Sequence, residues 1–227
     1  MSYVIVYNRP WCKSLAKKLE KKTGKSFFAI DNKEDLNKEY LNDINPEYIF
    51  FPHWSYIIPD EIYENYDCII FHMTDLPYGR GGSPLQNLII RGHRETMISA
   101  IQCIDEIDAG PVYLKKPLSL DGSAEEIFIR ANDVIEEMII EMMESIPKPI
   151  LQKGEVVKFT RRNPEDGNLS DTVSLDEVYN YIRMLDAEGY PPAFFRIGNY
   201  KLEFTRASRK VASVNADVRI TMESSDE

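Results

Sequence analysis

The chain has little of what would hold a metal ion or a cross-linked scaffold. Its 227 residues include only three cysteines and three histidines. Cys12, Cys68 and Cys103 show no metal-ligand spacing and cannot all pair, so reduced thiols and a cytoplasmic location are expected, and no metal. No apolar run approaches the roughly 20 residues that a membrane span needs. The opening Met-Ser-Tyr-Val-Ile-Val-Tyr lacks the basic region and cleavage site of a signal peptide. Membrane association is therefore not expected. Also missing are a Gly-x-Gly-x-x-Gly turn after the first strand and a Gly-Lys-Ser/Thr loop, which argues against a dinucleotide or nucleoside triphosphate cofactor. Basic residues are in deficit, 27 against 37 acidic, for a formal charge of −10. That balance opposes a broad nucleic-acid surface, which needs a basic stripe, and no nucleic-acid partner is expected. It leaves room for a small anion held by a few local arginines.

What is present is an alternation of short apolar runs and amphipathic stretches. Residues 3–7, 27–30, 48–51 and 68–71 read as strands by their β-branched and aromatic content. Between them, residues 14–22 and 36–41 and a segment opened by Pro59 read as helices. This pattern predicts an α/β fold, a mostly parallel sheet with helices on both faces. Residues 96–104 and 112–116 follow as strands joined by a turn. Ser123 and Glu126 form a capping box before a long amphipathic helix, and Ser174 and Glu177 form a second one. Pro147, Pro149 and Gly154 mark a boundary. The expected division is a catalytic domain over 1–150, a small C-terminal α+β subdomain over 151–220 and a disordered tail over 221–227.

Two places can carry chemistry. The run Cys68–Phe71 ends on His72, followed by a loop with three glycines and two prolines, Met73-Thr-Asp-Leu-Pro77-Tyr-Gly-Arg80-Gly-Gly-Ser-Pro84. In an open α/β sheet ligands bind at the carboxyl ends of strands. A histidine there can titrate near neutral pH, and glycines let a ligand approach the backbone. Asp108, in Asp108-Ala-Gly110-Pro111, sits in a second turn. It is either a turn aspartate bonded to its own backbone or a partner for His72, and as a pair the two could take a proton from an attacking amine.

The stretch His72-Met-Thr-Asp-Leu-Pro77-Tyr-Gly-Arg80-Gly resembles the His-x-Ser-Leu-Leu-Pro-x-x-x-Gly motif of the folate-dependent formyltransferases. Asp108-Ala-Gly110 resembles that family's Asp-x-Gly motif, and the interval of 36 residues fits. Pro52-His-Trp-Ser-Tyr-Ile-Ile-Pro59 stands where the family has its cofactor-lining loop. The resemblance implies a Rossmann-like fold, 10-formyltetrahydrofolate as co-substrate and direct transfer of the formyl group to an amine. It implies His72 and Asp108 as catalytic residues. It places the folate against Pro52, Trp54, Tyr56 and Ile57 and against the turn with Ile104, Asp105 and Ile107. The family's third catalytic residue, an asparagine two positions before the histidine, is Ile70 here. Asn87, with Gln86 as second choice, is the expected replacement as oxyanion donor.

The segment around Arg161, Arg162, Pro164 and Asp166, and Pro191-Pro-Ala-Phe194 further on, resemble pieces that follow the catalytic domain in sugar N-formyltransferases. They imply an amino-sugar acceptor, nucleotide-linked, contacted by Arg80, Gly81, Arg161 and Arg162. The alternatives are a hydrolase that releases formate from the folate, and a catalytically silent binding domain, which Ile70 would explain. A homodimer is compatible with either.

Overall fold

Short runs of β-branched and aromatic residues make most of the strands. The computed structural model describes residues 1–223. In chain order it contains β1 (Ser2–Val6), α1 (Leu15–Thr23), β2 (Ser26–Ile30), α2 (Lys38–Ile44), β3 (Tyr48–Pro52), α3 (Asp60–Tyr63), β4 (Cys68–His72), β5 (Tyr78–Gly81) and α4 (Pro84–Ile90). There follow β6 (Glu95–Gln102), β7 (Val112–Ser119), α5 (Ala124–Glu144), β8 (Val157–Phe159), α6 (Leu175–Leu185), β9 (Ala193–Ile197), β10 (Tyr200–Arg209) and β11 (Val214–Met222).

Six strands form one sheet in the order β2-β1-β3-β4-β6-β7. The pairs β1–β2, β1–β3 and β3–β4 are parallel, and β6 runs antiparallel to β4 and to β7. The expected mostly parallel sheet with helices on both faces is thus present. Side-chain alternation divides the core. Ile5, Phe50, Ile69 and Phe71 face α1, α4 and α5, whereas Val4, Ile49, Phe51 and Ile70 face α2 and α3. Leu15 and Leu19 dock α1, and Ile127, Ile135 and Met138 dock α5, all fully buried. Each such side chain contributes roughly 1.5–3 kcal/mol of burial free energy. The Ser123–Glu126 box closes in both directions. At Ser174 the hydroxyl accepts from Glu177 N–H, but the Glu177 carboxylate turns to Val173 N–H instead.

Part of the glycine loop is a short strand that packs against the chain's own backbone. Tyr78, Arg80 and Gly81 pair in parallel with Val157, Lys158 and Phe159, from beyond the boundary at 147–154. Gly79 and Gly81 adopt φ of 81° and 106°. A Cβ on Gly79 would lie 2.7 Å from the Phe159 ring, and one on Gly81 would lie 2.5 Å from the Phe159 carbonyl oxygen. The backbone that comes close to these glycines is the chain's own. β9, β10 and β11 make a separate antiparallel sheet, with α6 packed on it. Thr221 and Met222, expected in the tail, complete β11, and residues 224–227 of that tail lie outside the described residues. Among the described residues no helix is long and apolar enough to cross a membrane.

Candidate active site

β4 carries His72 to the carboxyl edge of the sheet, where it is buried. Its Nε2 lies 2.8 Å from the Gly79 carbonyl oxygen. A carbonyl only accepts, so Nε2 bears a proton. The remaining nitrogen, Nδ1, faces Asp108 Oδ1 at 3.4 Å. A proton taken up by the ring would therefore sit at Nδ1, against a carboxylate.

Asp108 is held from three sides. Its backbone is in the left-handed region, φ 54°, which aspartate tolerates better than most residues. Its Oδ2 accepts from Gly81 N–H at 2.9 Å. Gln152 Nε2 donates to the carbonyls of Asp108 and Gly110, at 2.8 and 2.9 Å. Gly110 tolerates no side chain, since a Cβ there would lie 1.8 Å from the Gln102 carbonyl oxygen. Arg80 supports this arrangement from behind. Its Nε and Nη2 donate to Gln152 Oε1 at 3.1 and 2.9 Å, and its Nη1 reaches Glu106 at 3.2 Å. Gln152 had no signal in the sequence, because it lies in a stretch that reads as a linker.

His72 and Asp108 border a cavity of about 1030 Å³. Its lining draws on the core of both sheet faces, Phe51, Ile58 and Ile70 from one and Phe71, Leu85 and Phe128 from the other. The cavity therefore straddles the strand ends. Of the other expected site residues, Trp54, Tyr56, Ile57, Ile104, Asp105, Ile107, Gly81, Arg161 and Arg162 line it.

Three do not line it. Pro52 is buried at the end of β3, opposite Phe71. Arg80 is committed to Gln152 and Glu106, as above. Asn87 is turned away: its Nδ2 donates to the carbonyls of Gly82, Ser83 and Thr160, at 3.0, 3.0 and 2.9 Å, and its Oδ1 accepts from Arg91 at 3.0 Å. An amide with two N–H groups shared among three carbonyls has none for an oxyanion. The phase of α4 decides this. Gln86 takes the cavity side and donates to the Met184 carbonyl at 3.1 Å, while Asn87 ties the glycine loop to the C-terminal segment. Ile70 lines the cavity, so the position of the family's asparagine faces the site without an amide.

Sequence reasoning missed most of one wall. Trp11 stacks on Phe128, centroids 4.6 Å apart, and Phe128 stacks on Tyr190 at 5.5 Å. The Arg9 guanidinium lies 4.9 Å from the Tyr190 centroid. His53, at φ 52°, sets its ring edge-on to Trp11 and Phe128. Trp11 Nε1, His53 Nε2 and, on the other side, Trp54 Nε1 are buried without a hydrogen-bond partner. Orphaned polar atoms that line a cavity suit a ligand that supplies the missing partners. Burial, reinforced by Arg9, holds the His53 pKa down at about 3, so this imidazole is neutral. Among the described residues no carboxylate forms an ion pair with Arg9, Arg161 or Arg162. The three thiols are buried and unpaired, and burial pushes Cys12 and Cys103 up to about 12, too high for a nucleophile at neutral pH.

Residues 8–143 match the formyl transferase family model, and the chain belongs to that family. Residues 164–221 match the model of the methionyl-tRNA formyltransferase C-terminal domain. A solved structure of methionyl-tRNA formyltransferase from Clostridium thermocellum is 49% identical, with a TM-score of 0.95, over 98% of this chain and 99% of that one. The methionyl-tRNA formyltransferase of Thermodesulfovibrio yellowstonii is 29% identical over 159 residues, 66% of this chain and 52% of that protein. The chain thus spans about half the length of that curated relative. HypX from Aquifex aeolicus in complex with tetrahydrofolic acid shares the fold, at 19% identity and a TM-score of 0.75 over 92% of this chain and 38% of that one. The expected donor, 10-formyltetrahydrofolate, is consistent with this membership.

These findings overturn the expected acceptor. The amino-sugar and nucleotide-sugar reading rested on short pieces around Arg161–Asp166 and Pro191–Phe194, and the exclusion of a nucleic-acid partner, overturned with it, rested on the acidic net charge. The C-terminal match and the 49% identical structure both belong to proteins named for methionyl-tRNA. Net charge was the other misleading signal. It sums the whole surface and does not record that Arg9, Arg161 and Arg162 line one cavity, whose lining also includes Asp60, Asp105, Glu106 and Asp108.

Proposed function

We propose that this chain transfers the formyl group of 10-formyltetrahydrofolate to the amine of the methionyl group on tRNA. The observation that carries the acceptor is the likeness, over almost the whole chain, to the Clostridium thermocellum methionyl-tRNA formyltransferase. The chemistry rests on the His72–Asp108 pair at the strand ends. In this reading the folate lies on the side of Trp54, Tyr56 and Ile107. Its heteroaromatic ring suits their apolar surface and the unpartnered Trp54 Nε1. The acceptor enters on the side of Arg9, Trp11, His53 and Arg161. The division near residue 150 belongs to the same reading, with β8 and the segment after it completing the acceptor side.

The amine nitrogen attacks the formyl carbon and a new C–N bond forms. The amine proton passes to His72 Nδ1, where the Asp108 carboxylate stabilises the imidazolium. The bond from the formyl carbon to the folate nitrogen then breaks, and that nitrogen takes the proton from His72, which returns to its neutral form. Only a few phosphates need be met at the acceptor end of the tRNA, which is compatible with a net charge of −10 and three local arginines.

The test is to incubate the protein with 10-formyltetrahydrofolate and methionyl-tRNA, with an amino-sugar control. Formylmethionyl-tRNA is the expected product. Amine-independent release of formate would identify a hydrolase, and folate binding without turnover would identify a silent domain.

A further inference from the structure

The small C-terminal sheet has one open edge and a partly open face. β11 stands at the end of the order β11-β10-β9 and pairs only with β10 among the described residues. On one of its faces lie Val214, Ala216, Val218, Ile220 and Met222, beside Phe204 and Leu202 of β10, which oppose Val218 and Ile220. Val214, Ala216 and Phe204 pack into the main core. Further along, Val218, Ile220 and Met222 are 50%, 60% and 71% exposed. Exposed edge strands are usually blunted by lysine, proline, a bulge or a covering element. β11 is nine residues long, Val-Asn-Ala-Asp-Val-Arg-Ile-Thr-Met, with no lysine, proline or glycine, and the irregularity in its ladder, between Thr205 and Ser208, lies on β10.

The order of residues about Val218 says what would fit there. Asp217 and Arg219 flank it, then Ala216 and Ile220, then Asn215 and Thr221, then Val214 and Met222. If the strand pairs antiparallel with itself about Val218, aspartate meets arginine twice, apolar meets apolar and polar meets polar. The backbone is in the right phase. Glu223 N–H bonds the Asn199 carbonyl at 2.9 Å, so by alternation Thr221, Arg219 and Asp217 turn their backbone groups to β10. Val218 and Ile220 turn theirs to the open edge. Asp217 and Arg219 then fall in non-hydrogen-bonded cross-strand pairs, where side chains come closest. Arg219 has no acidic partner among the described residues, whereas Asp217 meets Arg206 within the chain.

We propose that β11 is a homodimer interface, in which two copies join antiparallel about Val218 into one continuous six-stranded sheet. The two-fold axis closes the assembly at two copies. This inference is independent of the chemistry at His72.

Charge exchange tests it. The full chain is measured by light scattering and sedimentation over a range of concentrations, with circular dichroism as the folding control. The wild type should have twice the 26.3 kDa chain mass. Asp217→Arg or Arg219→Asp alone places like charges opposite each other twice and should weaken the dimer about tenfold in Kd. The double variant D217R/R219D restores opposite charges and should restore the dimer. A wild type that stays monomeric at its highest soluble concentration would overturn the proposal. So would a dimer indifferent to both single reversals, or a double variant no better than the singles.

Discussion

The two walls of the cavity are built in opposite ways. On one side Trp54, Tyr56, Ile57, Ile104 and Ile107 come from two short loops, at the ends of β3 and β6. On the other, Arg9, Trp11, His53, Phe128, Arg161 and Tyr190 come from separate stretches that span most of the chain. The first wall is largely apolar and carries carboxylates at its rim, Asp105 and Glu106. The second is aromatic and cationic. A wall made of two contiguous loops leaves a motif in the sequence, whereas one collected from distant residues leaves only fragments, here His53 and Arg161. In the proposed reading the first wall holds the donor and the second selects the acceptor, so the comparison can be broken by substitution.

The largest effect is expected where the walls meet. His72→Ala or Asp108→Ala should lower the single-turnover formylation rate by roughly two to four orders of magnitude, with folate affinity and the circular dichroism spectrum retained. A folded variant with a near-normal rate would remove the pair from the chemistry. Next come the walls themselves. Arg9→Ala or Arg161→Ala should raise KM for the acceptor about tenfold and leave the folate Kd unchanged, the loss of one hydrogen bond to a charged group. Trp54→Ala should do the reverse. If each substitution moves both constants together, the division into donor and acceptor walls is wrong.

Asn87→Ala should act on stability and not on the chemical step. Removing a buried amide that serves three carbonyls should cost about 1–3 kcal/mol in urea unfolding, with turnover per folded molecule little changed. A selective loss of the rate constant would return Asn87 to the oxyanion role that its position in the sequence suggested.

The remaining effect appears only at acid pH. The His53 pKa lies at about 3 in the folded protein, against an ordinary 6.5. Between those values the unfolded chain binds a proton at this site and the folded chain does not. The folded state therefore loses stability as pH falls from 6.5 towards 3. His53→Phe should flatten the acid limb of unfolding free energy against pH by up to about 1.4 kcal/mol per pH unit. An unchanged limb would show that the ring is protonated in the folded state.

Much of this protein was legible in its residues. The strands at β1, β3 and β4, the Ser123 cap, and His72 and Asp108 with the interval between them follow from local preference and short motifs. The backbone conformation each needs is set within a few residues, so nearby chemistry specifies it. The rest depended on what packs against what. Gly79 and Gly81 of the loop admit Phe159, from a strand nearly 80 residues on. The phase of α4 sends Gln86 to the cavity and Asn87 away from it. Gln152 orients Asp108 across a stretch that reads as linker. Arg9, His53, Phe128 and Tyr190 meet only because the sheet, α5 and the C-terminal segment converge, and no pairwise spacing along the chain records that convergence. Net charge and composition are sums over the whole chain, and a site is a placement. Arg161 and Arg162 could be named from their own segment, but that Arg9 joins them at one cavity is decided only by the tertiary structure, because it depends on which distant stretches pack together.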